Sequence, residues 1–152
     1  MDKIVVGIDG SEESKRALRF ALEEGELRRI PVVAVHAWTT PIPPADPMAV
    51  GPTIDYPTEV GRLQEAAEQL AERVVAEVVR STHVSVRVEH EVVEGPAAGA
   101  LLDKAGDDDM IVVGSRGHGS VAKLLLGSVS DQVARHAECP VVIHRTPQRD
   151  ED

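Results

Sequence analysis

The sequence predicts a single doubly wound α/β domain, a parallel sheet covered by helices on both faces. Two observations carry this. Short apolar runs alternate along the chain with stretches of helical periodicity, the pattern of parallel strands joined by right-handed helical crossovers. In addition, 42% of the residues are hydrophobic but only 2% are aromatic (Phe20, Trp38 and Tyr56). Such a core must be built from Val, Leu, Ile and Ala, as in strands buried on both faces. A chain of 152 residues suits one domain, here residues 1–146 followed by a polar tail at 147–152.

The first strand is Ile4-Val5-Val6-Gly7-Ile8, ended by the turn Asp9-Gly10-Ser11. Ser11 can cap the helix that follows, Glu12 and Glu13 suit its positive end, and Ala17, Leu18, Ala21 and Leu27 form its apolar stripe. Pro31 leads into the second strand, Val32-Val33-Ala34-Val35-His36-Ala37. Residues 39–58 hold six prolines, which preclude regular structure; a connection this long inside a compact domain is functional or disordered, and it is expected to act as a flap. A long helix is expected from Glu59, with Leu63, Ala67, Leu70, Val74 and Val78 on its apolar face. Alternation over residues 84–93 reads as a strand with one wetter face, near a sheet edge.

Gly95-Pro96 opens a short helix through Leu102, and Asp107-Asp108-Asp109 reads as a solvated turn. Met110-Ile111-Val112-Val113 is a fully apolar strand, a glycine-rich stretch follows, and a helix runs from Ser128 to about His136. Val141-Val142-Ile143 is the last strand.

A net charge of −10 disfavours nucleic acid and anionic membranes as partners, although a small anion can still bind where backbone N–H groups converge. The single cysteine, Cys139, precludes an internal disulfide and reads as a buried structural thiol. The opening MDKIVV carries no signal-peptide pattern and no apolar run reaches membrane-spanning length, so a cytoplasmic protein is expected.

In open α/β sheets, ligands sit beyond the carboxyl ends of the strands. The residues there are Asp9-Gly10-Ser11, those after Val35, and the stretch Gly114-Ser115-Arg116-Gly117-His118-Gly119-Ser120, with Gly127-Ser128 opening a helix. A polyphosphate needs several N–H donors within about 3 Å, and glycine removes the Cβ atoms that would block the approach. Ser128 suits either an anion held at the helix's positive end or a plain N-cap, with Asp131 completing a capping box. The Walker A pattern G-x-x-x-x-G-K-S/T is absent. Residues 117–122 fit the dinucleotide fingerprint G-x-G-x-x-G/A, but no acid follows at the ribose position and Gly127-Ser128 goes unexplained.

The spacing Gly114-x2-Gly117-x9-Gly127-Ser128 fits better. It resembles the nucleotide signature G-x2-G-x9-G-S/T of the ATP-binding branch of the universal stress proteins. The opening strand and its Asp9 turn, the second strand into His36-Ala37, and the close Cys139-Pro140-Val141-Val142-Ile143 resemble that family as well. The resemblance implies a Rossmann-like, five-stranded sheet of order 3-2-1-4-5 with ATP across its carboxyl edge. By position, Gly7 and Asp9 would lie at the nucleotide, with Asp9 on its ribose or base side, and the backbone near Ala37 would read adenine. Gly114, Gly117, Gly127, Ser128, Val129 and Ser130 would hold phosphates and ribose, with Mg2+ held mainly by the phosphates. Arg116, His118, Gly119 and Ser120 would line the same loop.

Nothing in the sequence assembles a nucleophile with its base, bracketing carboxylates or a metal cage; the histidines are scattered, and His36 and His144 read as satisfied structural residues. The expectation is a nucleotide-dependent regulatory protein rather than an enzyme. The alternatives are a slow ATPase, or a dimeric adaptor holding another adenylate such as cyclic AMP. The edge position implied for Val141, Val142 and Ile143 leaves backbone groups unpaired and, with the resemblance, predicts a homodimer through the last strand.

Overall fold

The apolar runs pair into one sheet. In chain order the elements are β1 (Ile4–Gly7), α1 (Glu12–Arg28), β2 (Val32–Trp38), α2 (Tyr56–Thr82), β3 (Val88–Glu94), α3 (Ala97–Lys104), β4 (Met110–Gly114), α4 (Ser128–His136) and β5 (Val141–His144). The computed structural model describes residues 1–41, 48, 55–117 and 126–146. The expectations for most of the 39–58 segment, for the tail at 147–152, and for His118, Gly119 and Ser120 lie outside the described residues. All four strand pairings are parallel, and the order is β3-β2-β1-β4-β5.

Strand side chains alternate between two cores. Ile4, Val6, Val32, Ala34, Met110 and Val112 pack with Leu18, Leu22, Val74 and Val78 of α1 and α2. Val5, Val33, Val35, Ile111 and Val113 pack with Ala98, Leu101 and Val133 of α3 and α4. The central strands are apolar on both faces because helices cover both.

The helix ends follow local chemistry. The Ser11 side chain accepts a hydrogen bond from the Ser14 N–H and caps α1, whose first turn carries Glu12 and Glu13. Leu27 is 78% exposed, so it leaves the expected stripe and Leu22 takes its place in the core. The long helix starts at Tyr56, before the expected Glu59, because Pro57 lies in the first turn, where no N–H is needed. β3 begins only at Val88: Val84 and Val86 alternate because they pack on the α1/α2 core, ahead of the ladder. It is an edge strand, as its wetter pattern predicts.

Asp109 corrects the reading of a solvated turn. It is 3% exposed. Its carboxylate takes the Lys3 ammonium at 2.8 Å, the Gly106 N–H at 2.7 Å and the Lys3 N–H at 3.2 Å, tying the entries of β1 and β4 together. Burial pushes the carboxyl up, but the hydrogen bonds and charge of Lys3 and the Gly106 amide outweigh it and hold it below its ordinary value. A depressed folded-state pKa gives stability that is fully present above the unfolded carboxylate value, about 3.9, and is lost as pH falls through the folded value. Asp109→Asn is therefore expected to cost about 1–3 kcal/mol at pH 7, with the difference from the parent shrinking in acid. Urea melts from pH 7 to pH 3 check this.

Candidate functional site

The sheet order sends the chain from β1 outward to β2 and β3, then back across to β4. The connections after β1 and β4 therefore leave on opposite faces and open a crevice at the strands' carboxyl ends. A cavity of about 350 Å³ fills it. Every expected site residue among those described lines this cavity: Gly7 at the end of β1 and Asp9 after it, Ala37 on β2, Gly114 at the end of β4 with Arg116 and Gly117 after it, and Gly127, Ser128, Val129 and Ser130 at the start of α4.

One half of the cavity is apolar. Ile8, Val35, Val113, Ala97 and Leu101 form its walls. Sequence reasoning did not single these out, because their apolar runs read equally well as core. The available signal was Gly95-Pro96, which marks where α3 begins beside the carboxyl end of β2. The Ile8 N–H donates to the Val35 carbonyl at 2.9 Å, and Nδ1 of His36 lies 2.9 Å from the Ile8 carbonyl. These contacts hold the β1 and β2 ends in register, and His36 is the satisfied structural histidine expected. His144 is not: its ring lies at a tilt to Phe20, and its buried Nδ1 has no hydrogen-bond partner among the described residues.

The other half presents backbone donors. Gly127, not Ser128, is the N-cap of α4; Ser128 is the first helical residue and no side chain caps the end. The capping box is therefore not formed, and Asp131 instead pairs with Arg135 at 3.0 Å. The first helical hydrogen bond comes from the Asp131 N–H to the Gly127 carbonyl, so the amides of Ser128, Val129 and Ser130 precede it at the helix's positive end. The Ser130 hydroxyl is turned to the loop itself, lying 3.0 Å from the carbonyls of both Ser115 and Gly127. The Gly127 N–H also donates to the Ser115 carbonyl at 2.7 Å. These bonds draw the two flanks of the glycine-rich stretch together.

Close approach explains the glycines. A Cβ on Gly117 would stand 2.5 Å from Oδ2 of Asp9, and one on Gly114 3.3 Å from the Glu13 carbonyl oxygen. Gly10, at φ 83°, makes the turn that brings Ser11 back beneath Asp9. Among the described residues no cluster of His, Cys, Asp and Glu is arranged to hold a metal ion, and no helix is long and apolar enough to cross a membrane. Cys139 lies away from the crevice and is only half-buried, not buried as expected, although its partial burial still pushes the thiol up.

Comparison with known proteins agrees with this architecture. The profile described as "Universal stress protein family" matches residues 1–145. A universal stress protein of Mycobacterium tuberculosis strain H37Rv is 34% identical over 145 residues, covering 93% of this chain and 44% of the relative. The chain thus spans under half the length of the curated relatives it matches. Among solved structures, the universal stress protein UspA from Lactobacillus plantarum superimposes with a TM-score of 0.73 at 23% identity, covering 95% of this chain and 97% of that one. A universal stress protein from Archaeoglobus fulgidus, solved in complex with dAMP, gives a TM-score of 0.64 at 26% identity, covering 94% and 97%. The family match thus covers nearly the whole chain and agrees with the sheet order, and the protein belongs to the universal stress protein family.

Proposed function

We propose that this chain binds adenine nucleotides, ATP foremost, and acts in the cytoplasm as a regulatory protein through binding rather than fast catalysis. The observation that carries the reading is the pairing of two unlike halves in one crevice. The uncapped N-terminus of α4 offers amides to phosphates, and the apolar walls from Val35 to Leu101 suit a base. Phosphates would lie against Gly114, Gly117, Gly127, Ser128 and Val129, and adenine at the backbone near Ala37. Mg2+ would ride on the phosphate oxygens, since the described residues supply no cage for it. The dAMP complex of the Archaeoglobus fulgidus relative supports an adenine nucleotide as the class of ligand.

The same reading includes a homodimer through β5. That strand is at the sheet's edge, its residues are partly exposed, and its outer N–H and C=O groups have no ladder partner within the sheet.

Native mass spectrometry tests both parts at once. The expected species is twice the 16.3 kDa chain mass, carrying nucleotide that denaturation releases as ATP. A monomer at tens of micromolar removes the dimer, and failure to retain added MgATP removes the nucleotide.

A further inference from the structure

Asp9 is joined to Ser11 and Ser14 by hydrogen bonds that the glycine signature does not contain. Oδ1 accepts from the Ser11 N–H at 2.9 Å and from the Ser11 hydroxyl at 2.5 Å. The Ser11 Oγ accepts in turn from the Ser14 N–H at 3.2 Å. The Ser14 hydroxyl donates to the Ser11 carbonyl at 3.0 Å and accepts from the Asp9 N–H at 3.2 Å. Ser14 is 5% exposed and lines the crevice. Two donors on Oδ1 restrain the rotation of the carboxylate, and Oδ2 lies against Gly117, at the border between the apolar walls and the amides of the α4 N-terminus.

A carboxylate accepts hydrogen bonds and repels phosphate. An adenine nucleotide carries donors only on its sugar hydroxyls and its adenine amino group. With phosphates at the α4 N-terminus and the base between Val35 and Leu101, the group beside Asp9 is the sugar. We infer that Ser14, acting with Ser11, is a positioning residue that aims Asp9 Oδ2 at a ribose hydroxyl of the bound nucleotide. The inference rests on the adenine-nucleotide reading above. Ser14 itself need not touch the ligand: it holds the Asp9 backbone and the serine that grips Oδ1.

The test is calorimetric titration of the chain, Ser14→Ala and Asp9→Ala with MgATP and with its 2′-deoxy and 3′-deoxy forms. One deoxy form should bind the unsubstituted chain about tenfold more weakly than ATP, the cost of a charge-assisted hydrogen bond. Ser14→Ala should narrow that gap to about twofold by weakening ATP while leaving this deoxy form as before, because an unfixed carboxylate loses most of that bond. In the Asp9→Ala background, Ser14→Ala should change nothing further. Ser11→Thr, which keeps the hydroxyl, should keep the gap. An equal loss for all three ligands in Ser14→Ala, an unchanged gap there, or no gap in the unsubstituted chain overturns the positioning role and leaves nucleotide binding intact. No binding of any of the three by the unsubstituted chain overturns the adenine-nucleotide reading and this inference together.

Discussion

Gly117→Val is expected to leave the fold standing and to weaken MgATP binding by about 100-fold or more. The energetic reason is local. A Cβ at this position would stand 2.5 Å from Asp9 Oδ2 and 3.7 Å from its Cγ, so even the first added carbon must drive the carboxylate away. The β-branched remainder then keeps the loop backbone off the phosphates. Each charge-assisted hydrogen bond lost is worth about 1.5–3 kcal/mol, and two suffice for the stated drop. The fold is spared because Gly117 is exposed, lies outside every strand and helix, and does not occupy the left-handed region. The change in stability should stay within about 0.5 kcal/mol, apart from the displaced Asp9 contacts. Titration with MgATP beside circular dichroism reads both quantities. A folded variant that binds as the parent does would place the phosphates elsewhere.

Leu101→Ala carries the largest expected loss of stability, about 2–5 kcal/mol. Leu101 is 1% exposed and belongs to the core on the α3/α4 face of the sheet. It also walls the crevice, and its Cδ1 lies 3.1 Å from where a Cβ on Gly7 would stand. Removing the isopropyl group beyond Cβ empties space between α3 and β1 that the packed strands do not readily close, so the cavity cost adds to the lost burial. Urea unfolding should show a lower midpoint with an unchanged slope, since the surface exposed on unfolding is nearly the same. A cost below about 1 kcal/mol would mean that α3 collapses onto the sheet and that Leu101 does not hold the crevice wall.

The strands were legible one by one because burial on both faces leaves little choice but Val, Ile and Ala. Val5 faces one core and Val6 the other, yet both must be apolar, and that shows as an unbroken run. The glycine spacing was legible for a similar reason. Where Asp9 and the Glu13 backbone approach the loop this closely, a side chain is excluded, and exclusion is visible in a sequence as glycine. The start of α2 was misread because proline in a first turn and proline in a loop look alike until the helix is seen.

Other features are relations between segments distant in sequence, and these only the tertiary structure decided. Three consecutive aspartates look equally solvated, but β1 and β4 run side by side, so Lys3 and the Gly106 amide meet Asp109 alone. Ser128 and Ser130 look interchangeable as phosphate ligands. The approach of residues 115 and 127 turns the Ser130 hydroxyl to the loop's own carbonyls and leaves Ser128 exposed at the helix end. Leu101 reads as one more core leucine until the β3-β2-β1-β4-β5 order sets α3 beside the crevice. Composition and periodicity record what each residue is buried from, and so determined the sheet, its helices and the glycine cradle. Which polar groups share a hydrogen bond depends on strand order and loop closure, which pattern along a single chain does not encode.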